Sequence, residues 1–443
     1  MSGCKDSIHK EILRLALPSI VTNITVPLLG IADTAIVGHM GRAGYIAAIA
    51  VCSTIFNMIY WIFAFLRMGT TGLVAQAWGR GTVGRSNTIL TQALLLGNAI
   101  GLLIILCNGM ILQGAYRFMD IGLNLKEDVS AYYNICVWGA PAMLSQYALT
   151  GWFIGSQNTK VPMIVAISQN IINILLSAWL VFGAGMKMEG VAIGTAFAQY
   201  FGCLAACLMA WKSGWRPDTD FRALTEGLPV FFNVNRDIFL RTLCLVAVTV
   251  FFTRAGNAQG GLVLSCNTLL MQFFILYSYF TDGWANAGEA LGGRYASASH
   301  RKELGAVVKG LFIQVGLFSL ATTLAYMFAG TYIVGLFTDL EDVIATSHTY
   351  LPWVYAIPVA AMTAMTWDGI FIGLTLTRGM LLSMCAAMLL FFGLYHATQG
   401  LMHNHGLWLA FVAYLTCRGL VQTIYFRKLK RIQITQTTQI TQN

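Results

Sequence analysis

Apolar runs of about twenty residues recur along this whole chain, and nothing else in the sequence narrows its fold as much. A helix needs about 20 such residues to cross a bilayer, and inside the bilayer the backbone must satisfy its own hydrogen bonds. Twelve runs can be drawn, near 11–37, 46–68, 87–113, 130–156, 161–183, 190–211, 237–256, 260–282, 305–330, 343–370, 377–399 and 405–426. Composition agrees. Only 10% of the 443 residues are charged and 57% are hydrophobic, against about 25% charged in a soluble domain. In water so few charges would leave large apolar patches exposed. Soluble enzymes, disordered chains and secreted disulfide scaffolds are therefore excluded. The predicted fold class is an all-α polytopic membrane protein with twelve transmembrane helices.

The basic residues report sidedness. With the N-terminus placed in the cytoplasm and the spans alternating, 21 Lys and Arg fall on the inner side and five on the outer, with Arg67 left uncounted near a helix end. That split predicts both termini in the cytoplasm. The net charge of +9 thus needs no nucleic acid as partner. Met1–Lys10 has no signal-peptide pattern, and the ten cysteines show neither a CxxC pair nor metal-ligand spacing.

The longest charged connection follows the sixth span. It divides the chain into an N-terminal six-helix bundle (1–212), a cytoplasmic linker (213–236), a C-terminal six-helix bundle (237–431) and a polar tail (432–443). The bundles read as repeats. Gln76, Ala77 and Gly79 match Glu289, Ala290 and Gly292 at a separation of 213, and Gly151–Gly155 matches Gly369–Gly373 at 218. An even number of spans per repeat predicts parallel halves about a pseudo-two-fold axis, with a central cavity and alternating access.

Four acids lie in or beside spans: Asp33, Asp282, Glu289 and Asp368. An ionisable residue at membrane depth is costly, so function is its default reading. Asp33 stands out because Pro18 and Pro27 precede it on the first helix, and each proline removes a helix hydrogen bond. A bent helix carrying a carboxyl can change shape when protonation removes the cost of burying the charge. Asp368 opens the second copy of the Gly–Gly element, and Asp282 ends an aromatic run; both are secondary candidates. Glu289, near Arg294, reads as a structural contact. On the fifth span Asn170, Asn173 and Ser177 share one helix face. Thr195 and Gln199 on the sixth span and Ser145 and Gln146 on the fourth complete a polar set. That set would form either a cage around Asp33 or hydrogen-bonded glue between helices. Tyr147, Trp152, Tyr277, Trp284 and Trp353 are aromatic candidates for a path taken by cationic ligands. No nucleophile elbow, zinc motif or P-loop occurs. The chain is therefore predicted not to be an enzyme, to need no cofactor and to draw on an ion gradient.

The runs LALPSIVTNITVPLLGIADTAIVGHMG, FLRMGTTGLVAQAWGRG, NILLSAWLVFG and DGIFIG resemble the multidrug and toxin extrusion (MATE) family, and within it the DinF-type branch. The resemblance spans Glu11 to Arg431. It implies two six-helix bundles exporting organic cations and amphipathic compounds against a H⁺ or Na⁺ gradient, as a monomer in a bacterial inner membrane. It also implies that Asp33 is the proton or cation site, that Pro18 takes part in bending, and that Asn173 and Thr195 are cage residues. Some members carry an acid where Ser177 stands. Its absence favours H⁺ over a Na⁺ site at Asp33 and Asn173. The seventh span lacks the acid found there in other branches. The alternative within the superfamily is a lipid-linked oligosaccharide flippase, which would need cavity-facing cations for phosphate; only Arg67 and Arg254 come near the spans. A membrane-embedded enzyme is the third reading, and it lacks a reactive constellation.

Overall fold

The computed structural model describes residues 2–38, 40, 43–119, 122–218, 220–225, 228–296 and 300–442. Among these there are helices and turns but no strand. In chain order the helices are α1 (Ser2–Gly38), α2 (Ala43–Ile62), α3 (Phe65–Gly79), α4 (Val83–Leu106), α5 (Asn108–Met119), α6 (Leu123–Cys136), α7 (Ala140–Gly155), α8 (Lys160–Ala178) and α9 (Met188–Lys212). They continue with α10 (Phe221–Thr225), α11 (Leu228–Ala258), α12 (Gly261–Arg294), α13 (Arg301–Phe337), α14 (Glu341–Gly373) and α15 (Thr377–Gln442).

Among the described residues ten stretches are long and apolar enough to cross a membrane, and local geometry accounts for the other two crossings. The stretch Thr377–Leu429 holds 53 residues, about 80 Å of helix at 1.5 Å per residue, more than twice a hydrocarbon core of about 30 Å. It breaks at His403, whose φ of 47° and ψ of −121° are non-helical. The crossing made by α6 and α7 is interrupted by a 3-10 turn at Val137–Gly139, which shortens each part. The twelve-helix fold expected from the sequence is therefore present.

The chain forms two compact units, Leu15–Asn235 and Met1–Arg14 with Arg236–Asn443. Helix α1 thus starts in the C-terminal unit and continues in the N-terminal one. Its first turns are anchored within the C-terminal unit: Ile12 is fully buried, Arg294 pairs with Glu11 at 2.9 Å, and the Gln314 amide donates to the His9 carbonyl at 3.2 Å.

The same tight crossing occurs once in each unit. In the N-terminal unit, a side chain at Gly151 or Gly155 of α7 would strike the carbonyl oxygen of Arg67 or Thr71 on α3. In the C-terminal unit, one at Gly369 or Gly373 of α14 would strike the carbonyl of Ala285 or Glu289 on α12. Only glycine lets two helix backbones approach this closely. Both members of every contact are displaced by 218 residues. The same displacement carries the start of α4 onto that of α13, and both ends of the α6–α7 crossing onto both ends of α14. This register corrects the pairing of Gln76 with Glu289: the counterpart of Glu289 is Thr71, and that of Gln76 is Arg294. The shorter displacement reflects only a chance likeness of two Ala–Gly segments near helix ends.

A second correction concerns charge. Sidedness assigns Arg241 and Arg418 to the cytoplasm. Both instead lie inside long helices, α11 and α15, and are 7% and 3% exposed. Helix α11 begins at Leu228 and runs through the polar segment Asn233–Asp237, which hydropathy alone reads as loop.

Candidate functional site

Asp33 lies in the last third of α1, beyond Pro18 and Pro27, and both prolines are inside the helix. Two threonines turn their hydroxyls back onto this helix. Thr22 Oγ1 donates to the Pro18 carbonyl at 2.9 Å, and Thr25 Oγ1 to the Thr22 carbonyl at 2.7 Å. Such back-bonding favours bending next to carbonyls that proline has already released.

The Asp33 carboxyl is enclosed but not satisfied. Its Oδ1 is buried and has no hydrogen-bond partner. Tyr132 and Cys136, both buried and one turn apart on α6, lie within electrostatic reach of it. Tyr132 also meets Thr195. From Thr195 a polar chain runs across two helices. Asn173 Nδ2 donates to Thr195 Oγ1 at 3.2 Å, and Ser177 Oγ donates to Asn173 Oδ1 at 3.3 Å. Thr195 Oγ1 in turn donates to the Val191 carbonyl at 3.0 Å. Asn173 and Ser177 are almost completely buried.

The structure therefore brings Asp33, Asn173, Ser177 and Thr195 to one region. The polar residues bond to each other, and Asp33 Oδ1 receives none of their donors. Asn170 and Gln146 do other work. Asn170 Nδ2 ties α8 to the Thr25 carbonyl of α1 at 3.1 Å, and Gln146 Nε2 donates to the Gln199 carbonyl at 2.7 Å, one turn along α9 from Thr195. Sequence reasoning misses Tyr132 and Cys136; the only signal for them is a spacing of four, which puts them on one helix face.

In the C-terminal unit the acids separate by environment. Asp282 lies mid-helix on α12 and is exposed there; the helix runs on to Arg294, past the limit of 282 drawn for the apolar run. Glu289 is buried at the α12–α14 crossing. Asp368 is surrounded: Oδ2 accepts from Arg241 and Arg418, and Oδ1 accepts from Gln422 Nε2 at 2.7 Å. Among the aromatic candidates, Trp152 and Tyr277 are buried core residues bonded to Ser86 and Ser319. Trp284 is likewise buried and bonded to Gln314. These three are hydrogen-bonded where helices pack. Among the described residues no three His, Cys, Asp or Glu side chains gather where they could hold a metal ion.

The family model described as MatE matches residues 18–179 and 238–395, one segment in each half. DNA damage-inducible protein F of Escherichia coli is 34% identical over 439 residues, covering 95% of this chain and 93% of that protein. The probable multidrug resistance protein NorM of Thermotoga maritima is 21% identical, over 77% of this chain and 74% of its own. Among solved structures, an outward-facing multidrug resistance MATE family transporter of the MOP superfamily superposes with a TM-score of 0.86 at 18% identity, covering 97% of each chain.

Proposed function

This chain belongs to the MatE family, and from that premise we propose that it is a secondary antiporter exporting cationic and amphipathic drug-like compounds in exchange for H⁺ through Asp33. It is a multi-pass membrane transporter and not an enzyme. The proposed setting is a bacterial inner membrane, with both termini cytoplasmic and one chain as the working unit.

The observation that carries the coupling proposal is the enclosed, unpartnered Oδ1 of Asp33. A buried carboxylate is stable only when something neutralises it. Two things can do so here, a proton or a cationic substrate, and one excludes the other. Proton arrival from the outside releases the cation; proton loss to the inside readies the site for the next one. The helix that carries Asp33 has two prolines inside it as hinge points, so the charge change has a mechanical element to act on. The Tyr132–Thr195–Asn173–Ser177 chain supplies neutral oxygens beside the site and no second carboxylate, which favours H⁺ over Na⁺.

Proteoliposomes holding the full-length protein and a fluorescent organic cation test this, with pH and Na⁺ gradients imposed separately. The pH gradient should drive efflux and the Na⁺ gradient alone should not. Asp33→Asn should reduce pH-driven efflux at least about tenfold. Efflux driven by Na⁺ alone, or unchanged in Asp33→Asn, contradicts the proposal.

A further inference from the structure

The Asp368 cluster carries more positive charge than it neutralises. One carboxylate faces two guanidinium groups inside the C-terminal unit, with both arginines buried and the aspartate largely so. Both carboxylate oxygens are already occupied, Oδ2 by the two arginines and Oδ1 by Gln422. The acid one turn before Arg241, Asp237, is engaged elsewhere. Its oxygens are taken by Arg236 at 3.1 Å and by Thr377 at 3.2 Å. A net charge of +1 is left in a water-poor site, where unpaired charge is costly.

Independently, the cluster has unused donors. The Nε atoms of both Arg241 and Arg418 are buried without a hydrogen-bond partner. These residues are 7% and 3% exposed. The Arg418 guanidinium is further braced over the Tyr414 ring at 5.6 Å. Excess charge and orphaned N–H groups call for the same thing, a compact acceptor bearing one negative charge. Water would satisfy the donors but leave the charge. A lipid headgroup would need far more access than these residues have.

We propose that Arg241 and Arg418, held in place by Asp368 and Gln422, form a binding site for a small monoanion, either a halide or the carboxylate of an organic acid. Guanidinium N–H groups recognise either anion by the same charge-assisted hydrogen bonds. Asp368 then plays a structural part. It fixes the two arginines and sets the affinity by cancelling half their charge.

The test is equilibrium binding of radiolabelled chloride, and in a second arm radiolabelled acetate, to the purified full-length protein at constant ionic strength. Saturable binding of about one anion per chain is expected. Arg241→Gln and Arg418→Gln should each weaken it roughly tenfold or more. Misfolding would also abolish binding in those variants, so the decisive variant is Asp368→Asn. It removes the resident negative charge and should tighten binding roughly tenfold, a gain that damaged protein cannot produce. Binding of chloride alone identifies a halide site, and binding of acetate identifies a carboxylate site. Absence of saturable binding in both arms, or binding that is unchanged or weaker in Asp368→Asn, overturns the proposal.

Discussion

The two halves share a backbone plan and differ in what they bury. In the N-terminal unit, Asp33 stands beside a chain of neutral polar groups and its Oδ1 has no partner. In the C-terminal unit, Asp368 has three partners, two of them cationic. The repeat register makes the contrast sharper. The residues 218 positions on from Asp33, Asn173 and Ser177 are Phe251, Phe391 and Tyr395. Their rings touch, with Phe251 lying 5.9 Å from Phe391 and 5.2 Å from Tyr395. Where one half has an acid and its polar neighbours, the other has packed aromatics. Its own acid is on a different helix, in permanent ion pairs. A carboxylate with paired cations is held charged and gives up its proton cycle, whereas one without partners must exchange neutralising ligands. The helix plan is common to both halves; the side chains differ, and on the proposed reading only the Asp33 half exchanges.

The largest expected difference between the halves is in coupling, and Asp33→Asn should all but abolish gradient-driven efflux from proteoliposomes. The next is in stability. Arg418→Ala leaves Asp368 short of a partner and opens a buried site, so it should cost about 3–5 kcal/mol, read as a lower thermal unfolding midpoint of the detergent-solubilised protein. Asp33→Asn should leave that midpoint unchanged or raise it, because it removes a buried charge that lacks a partner. A smaller effect tests the repeat itself. Gly151→Ala and Gly369→Ala place a methyl against a facing carbonyl at equivalent crossings. They should destabilise by similar amounts, about 1–3 kcal/mol each; a large disparity would mean that the crossings are not equivalent. The smallest is Asn173→Ala, which removes one interhelical hydrogen bond worth about 0.6 kcal/mol in a membrane. It should lower transport only severalfold while leaving its pH dependence in place, because Asp33 remains.

Much of this is legible in the residues. Apolar runs mark the crossings, since the bilayer imposes their length. The Gly151–Gly155 and Gly369–Gly373 elements carry the true repeat displacement, because a backbone crossing tolerates only glycine. Asp33 announces itself as an acid in an apolar run behind two prolines. What stays hidden is pairing. Arg241 follows the polar stretch Asn233–Asp237 and Arg418 precedes a basic run, so each passes for a cytoplasmic charge. Only the fold brings α11, α14 and α15 together around Asp368. Sidedness rules count cations without asking whether an acid on another helix has claimed them. Asp33 and Asp368 therefore look alike in the sequence, and their opposite environments appear only in three dimensions.

If Asp33 is the exchanging carboxylate and Asp368 is not, proton release on substrate binding separates them most directly. An organic cation is added to the purified full-length protein in weakly buffered detergent solution, and the pH change is recorded. Wild type should release about one proton per cation bound, and Asp368→Asn should do the same. Asp33→Asn should release none, and its affinity for the cation should no longer fall as the pH is lowered. Undiminished release from Asp33→Asn, or its loss in Asp368→Asn alone, would contradict the exchange at Asp33.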